Sequence, residues 1–227
     1  REPSGRTNCT ELDAVLASAY RGGSSRFLKL GEACGRLTVI YRDDDFLRRP
    51  TEEKISFIAD HESFHLFAQA YGAGLPLELM QSPNWSLQAD DKFFKLTREA
   101  LENSNSTTKN SFCRVAANYA EFRNSKHFQD MDRIVYLEWP AEFYAYSRHI
   151  KRGGTEESYV AMRQALGDFD SYYSGVLIGK YLSAVDNSWV EKLYSGLSMI
   201  DIVSMTCDAS YEPQPRMLFK TSAMPLL

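Results

Sequence analysis

The stretch His61-Glu62-Ser63-Phe64-His65 places two imidazoles four positions apart, with a carboxylate directly after the first. On a helix, residues i and i+4 lie one turn apart on the same face. Two imidazoles so placed can reach one metal ion at about 2.0–2.1 Å. Glu62 sits on the adjoining edge, where it can hold a zinc-bound water and take its proton, and zinc lowers the pKa of that water toward about 7. His61 and His65 are two of only four histidines in the chain, so the pairing is not a by-product of abundance. The plain alternative is a pair of polar residues on a helix face. The surrounding sequence supplies the helix that the motif requires.

Catalytic zinc usually takes a third protein ligand and keeps one position for water. The remaining histidines, His127 and His149, do not extend the motif in the His-x-x-Gly-x-x-His manner. The third ligand must therefore lie further along. The candidate is Glu142, in Trp139-Pro140-Ala141-Glu142-Phe143-Tyr144-Ala145-Tyr146.

These two stretches together resemble the gluzincin branch of the zincin metallopeptidases. The resemblance implies that a glutamate on a separate downstream helix completes the site, and Glu142-Phe143-Tyr144-Ala145 is similar to the Glu-x-x-Ala stretch of several members. Family members often carry an acid four residues after that ligand, bonded to a zinc histidine. Here Tyr146 occupies that position. A different register restores the pattern, with Glu138 as ligand and Glu142 as the acid behind it. The two glutamates share a face only if Pro140 does not redirect the helix. Glu142 is preferred because it lies inside a helix rather than at its break. Tyr146 and His149, on the face of Glu142, are positional candidates for touching substrate and stabilising an oxyanion. His127 is a weaker one, and Asp60 reads as solvated.

Positioning such residues requires particular elements. Pro50-Thr51 opens the motif helix, with Thr51 as cap and Glu52 and Glu53 complementing the helix dipole. Ile55, Ile58, Phe64 and Phe67 recur at helical spacing, and Gly72 and Gly74 end the run. Upstream, Phe27–Leu30 and Leu37–Tyr41 read as strands of a hairpin, and Leu37–Tyr41 could serve as an edge for extended substrate. Downstream, helices are expected from about Asp90 to Leu101, from Phe112 to Phe122, from Met131 onward, and from Thr155 to about Leu166. The remainder is mainly helical, with breaks near Gly175, Gly179 and Gly196, before an extended tail containing Pro213, Pro215 and Pro225. Residues 1–23 form a peripheral helix.

The expected fold class is α+β, mostly α: a zincin-like metallopeptidase fold with a small N-terminal-side sheet packed on the motif helix and a helical C-terminal lobe. The 227 residues suit a single catalytic domain, 1–227. Its sub-lobes are about 1–110, with the motif, and 111–227, with the glutamate ligand. A net charge of −4 offers no basic field for a phosphate backbone, which argues against nucleic acid as a partner. No apolar run approaches the roughly 20 residues that span a bilayer.

Cys9, Cys34, Cys113 and Cys207 form no Cys-x-x-Cys pair. The pairing Cys9–Cys34 with Cys113–Cys207 suits a separable N-terminal segment, and four free thiols are the alternative. The chain begins at Arg1, and a removed signal peptide would make it secreted or periplasmic. The expected activity is zinc-dependent hydrolysis of a peptide or protein substrate, with Glu62 as general base. The alternatives are a zinc amidase acting on cell-wall material and a binding protein on a zincin scaffold.

Overall fold

The computed structural model describes residues 26–33, 36–43, 51–72, 91–102, 109–122, 128–166 and 169–213. Helix α1, Glu52–Ser63, starts where Thr51 Oγ1 accepts a hydrogen bond from the backbone N–H of Lys54 at 3.2 Å. That bond satisfies one donor with no partner inside the helix. The chain then passes directly into a π-helical segment, π1, Phe64–Gly72. After α2 (Asp91–Glu102), α3 (Lys109–Phe122) and α4 (Phe128–Arg133) comes a second such segment, π2, Ile134–Glu138. It continues into α5, Trp139–Lys151. Helices α6 (Glu156–Leu166), α7 (Phe169–Val185), α8 (Trp189–Tyr194) and α9 (Met199–Cys207) complete the described residues.

Helix α5 is the spine. It packs against α1 on one side and α7 on the other. Pro140 stands in its first turn, where a missing N–H costs little. Trp139 before it is fully buried, and its indole N–H donates to the Ser171 carbonyl at 2.7 Å. A Cβ on Gly175 would lie 2.8 Å from the Trp139 Cα, so only glycine lets α7 come this close to α5. Ala141 and Ala145, both buried, keep the α5 surface low. The larger core cluster draws residues from Phe93 to Val203, across the line expected between the sub-lobes. A smaller one joins Phe57 of α1, Tyr146 of α5, Tyr159 and Met162 of α6, and Tyr173 and Val176 of α7.

Several expectations need correction. The fold is helical rather than α+β. Arg26–Ala33 (β1) and Arg36–Asp43 (β2) pair antiparallel, Leu30 opposite Val39, but they form only a two-stranded ribbon. Among the described elements its substantial contacts are between its own strands, so no sheet packs on the motif helix to build a layer. Gly175 and Gly179 lie inside α7 rather than breaking it, and only Gly196, with φ +95°, sits in a turn. On the motif helix the buried side is not the apolar series. Ile55 and Phe67 are exposed, while Phe57, His61, Glu62, His65 and Leu66 face inward. Residues 1–23, the pair Cys9 and Cys34, and the tail after Pro213 lie outside the described residues.

A disulfide joins Cys113 of α3 to Cys207 of α9, with 5.6 Å between Cα atoms and a sequence separation of 94. Closing a loop of that length restricts the unfolded chain by about 4–5 kcal/mol in the chain-entropy account. No described helix is long and apolar enough to cross a membrane. Replacing both Cys113 and Cys207 by serine should lower the unfolding free energy by about 2–5 kcal/mol in urea titrations. A loss under 1 kcal/mol would mean that the bond adds little to the α3–α9 packing.

Candidate metal centre

The motif straddles the junction of α1 and π1, with His61 and Glu62 in the α-helix and His65 just inside the wider turns. Opposite stands the junction of π2 and α5, with Glu138 closing π2 and Glu142 one turn into α5. Both junctions depart from regular α-geometry, and such π-turns frequently mark functional sites. The chain continues helically through Pro140, so Glu138 and Glu142 share one face and both point at the motif. They reach His61 from opposite ring nitrogens. Glu138 Oε2 is 3.0 Å from His61 Nε2, and Glu142 Oε2 is 3.0 Å from His61 Nδ1.

Ligand-capable atoms of His61, His65 and Glu138 lie within 4.8 Å of one another, all three residues buried. His65 Nε2 is 3.1 Å from His61 Nε2 and 3.4 Å from Glu138 Oε1. The far nitrogen of each imidazole faces an oxygen. His61 Nδ1 meets the Glu142 carboxylate, and His65 Nδ1 meets Gln69 Oε1 at 2.7 Å. Oxygens of these kinds only accept, so each Nδ1 carries a proton and each Nε2 faces the shared point, where His61 Nε2 also meets Glu138 Oε2. Two ring nitrogens and a carboxylate converge on one point, an arrangement that could hold a cation.

The charge inventory agrees. Among the described residues, Glu62, Glu138 and Glu142 face Arg163 and the two imidazoles, and a divalent ion would take the place of two imidazole protons without changing the net charge. Burial would push the His61 imidazole down, but its hydrogen bonds to Glu138 and Glu142 overcome that and hold it at about 10. His65 is likewise raised, burial being outweighed by the Glu138 charge. Burial raises the Glu62 carboxyl. Glu62 Oε2 is also a buried acceptor with no hydrogen-bond partner among the described residues. The residues present therefore fit a divalent cation.

Behind this group lies an ionic brace. Arg163 of α6 donates from Nε to Glu142 Oε1 at 2.7 Å and from its terminal nitrogen to Oε2 at 2.5 Å, a two-pronged contact. Tyr159, one turn earlier on α6, donates to Glu142 Oε1 at 2.8 Å. Tyr172 of α7 donates to Glu138 Oε2 at 3.1 Å, and the Arg163 guanidinium lies 3.7 Å from the centre of its ring. Against the cost of burial, Arg163 and His61 hold the Glu142 carboxyl down at about 2.

The structure thus gathers His61, Glu62, His65 and Glu138, with Glu142 behind His61. Glu142, preferred opposite both imidazoles, meets His61 at Nδ1 and bonds through its oxygens to Arg163 and Tyr159, while the alternative, Glu138, lies with His61 and His65 in the group that could hold an ion. Tyr146 is not at the centre. Its ring lies in the smaller core cluster against Tyr159, with the Lys180 ammonium 4.8 Å from its centroid. His149, two turns beyond Glu142, bonds through Nε2 to Ser158 Oγ at 2.8 Å and packs edge-on against Phe57. It fastens α5 to the start of α6. His127 lies outside the described residues. Asp60 pairs with Arg152, whose Nη2 is 2.9 Å from Oδ1. Sequence reasoning missed Gln69, Tyr159, Arg163 and Tyr172. Gln69 was within reach, since it repeats the four-residue step of His61 and His65. The others sit on distant helices and carry no local signal.

Searches against protein-family models, curated proteins and solved structures return no match for this chain.

Replacing Arg163 by Met would strand the Glu142 carboxylate in the interior and should cost about 3–5 kcal/mol in urea unfolding at pH 7. The sign with pH follows from the lowered Glu142 carboxyl. Its stabilisation is complete above the ordinary value of 4.5 and is lost as pH falls through about 2. The variant should accordingly show a smaller stability difference from the parent at pH 2 than at pH 7. An equal difference at both pH values would mean that Arg163 acts by packing alone.

Proposed function

We propose that this chain is a zinc-dependent hydrolase of peptide bonds, a gluzincin-like metallopeptidase. In this reading His61, His65 and Glu138 hold the metal, and Glu62 is the general base. One observation carries the proposal: two imidazole nitrogens and a carboxylate oxygen converge from separate helices beside Glu62, a buried carboxylate with an unpartnered oxygen. Glu138 replaces Glu142 in the ligand set, and Glu142 becomes the acid that orients His61. That is the register in which the likeness to gluzincins holds without Tyr146 as an exception.

A bound zinc ion supplies an activated water and a Lewis acid for the substrate carbonyl. The protein's part is proton traffic and orientation. Glu62 takes the proton of the attacking water and gives it to the leaving amine, a relay favoured by the burial that raises its carboxyl. Glu142 fixes the His61 ring through Nδ1, and Arg163 keeps Glu142 ionised for that task. Tyr172 steadies Glu138.

A second reading keeps the metal and removes the chemistry. His61, Glu62, His65 and Glu138 are each under a tenth exposed, which suits a closed structural ion holding helices together. Glu62 separates the two readings, because it has no part in ligation.

Elemental analysis should find about one zinc per chain, absent from His65→Ala. Glu62→Gln should retain the metal and lose hydrolysis of a peptide library by 100-fold or more, on the order expected for a lost general base. Zinc retained by both proteins, with no cleavage by either, would favour the structural reading. No zinc at neutral pH would sink both. Because the metal displaces protons from imidazoles held above neutrality, its affinity should rise with pH toward about 10, the value to which His61 is raised. Calorimetry in buffers of different ionisation enthalpy should record proton release on binding at pH 7.

A further inference from the structure

Gln69 joins two irregular stretches of backbone through the metal centre. Its side chain is buried within π1, and its amide nitrogen donates to the Leu137 carbonyl at 2.8 Å and more distantly to that of Tyr136 at 3.4 Å. Both carbonyls lie in π2, directly before Pro140. In a regular helix the Tyr136 carbonyl would take the N–H of residue 140, which proline lacks. Carbonyls have no hydrogen to give, so the NH2 end of the amide must face them and Oε1 must face away. There it meets His65 Nδ1 at 2.7 Å.

We infer that Gln69 is a positioning residue of this centre. The carbonyls of π2 fix the Gln69 amide, the amide fixes His65 in its Nδ1–H form, and His65 Nε2 is thereby aimed at the metal. The inference rests on the zinc reading above and extends it to a residue outside the motif. The role of Gln69 toward His65 parallels that of Glu142 toward His61, with a neutral acceptor in place of an ionised one. Through the same amide, the segment that ends in Glu138 and the segment that carries His65 are held in register. Two ligands from different helices therefore depend on one side chain.

The test uses the full chain and zinc itself, with affinity read by competition with a chromophoric chelator. Gln69→Met keeps the length of the side chain and removes all three hydrogen bonds; it should weaken zinc binding about 10–100-fold. Gln69→Glu keeps an acceptor for His65 Nδ1 but loses the donor to the π2 carbonyls, and should weaken zinc binding less than Gln69→Met does. The ring 15N–1H spectrum of zinc-loaded protein should show a slowly exchanging His65 Nδ1 proton in the parent and in Gln69→Glu, and faster exchange in Gln69→Met. Should Gln69→Met fail to fold, Gln69→Leu takes its place. Parent-like affinity in Gln69→Met overturns the inference, as does an equal loss in both variants, which would make Gln69 a packing residue. A parent protein that binds no zinc overturns the zinc reading and this inference together. Zinc held tightly by the parent and by Gln69→Met overturns this inference alone.

Discussion

Burying three carboxylates side by side is the constraint around which this molecule is organised. A carboxylate taken from water must find hydrogen bonds and opposite charge, or its helices will not stay packed. Glu142 finds them in Arg163, Tyr159 and His61, and Glu138 finds them in Tyr172 and the two imidazoles. The partners come from α1, π1, α6 and α7, so satisfying the charges fixes how these elements meet α5. The apolar clusters on either side exclude water and strengthen every interaction within. Packing and charge are therefore one problem here: Phe57, Tyr159 and Tyr173 belong to the core cluster beside which the ions must balance.

The π-helical segments serve the same end. An α-helix presents a ligand every turn at a fixed angle, and a wider turn changes that angle without ending the helix. His65 and Glu138 both stand at such transitions, so each ligand helix is adjusted where it meets the other. Pro140 contributes by removing a backbone donor at the start of α5. The carbonyls of Leu137 and Tyr136, a turn before it, accept from a side chain, Gln69, that also contacts His65. An irregularity that would weaken an isolated helix becomes a connection between helices.

Some of this was legible in the chain itself. The His61–His65 motif, its Thr51 cap, the acidic first turn and most helix positions follow from local rules of spacing and capping, which depend on neighbours a few residues apart. So did the possibility that Glu138 and Glu142 act as a pair, because their four-residue separation is a helical one. Which side of the motif helix is buried did not follow. Ile55 and Phe67 look like core positions by hydropathy and lie exposed, because the inward face was settled by ions on α5. The expected sheet failed for a related reason. A β-rich hairpin sequence establishes pairing between its own strands, but says nothing of whether a helix will cover it.

The sequence by itself determined the chemistry on offer: two imidazoles and a carboxylate at metal-binding spacing, and two glutamates one helical turn apart. Only the tertiary structure decided how those groups are shared out. It set Glu138 between the imidazoles and Glu142 behind one of them, withdrew Tyr146 and His149 into packing roles, and brought Arg163, Tyr172 and Gln69 to the centre. The physical reason is range. Helical periodicity acts across one or two turns, whereas ligand assignment depends on which atoms face one another across helices 77 and 81 residues apart in the chain. That is settled by packing glycines, alanines and aromatic rings, none of which announces its partner in the local sequence.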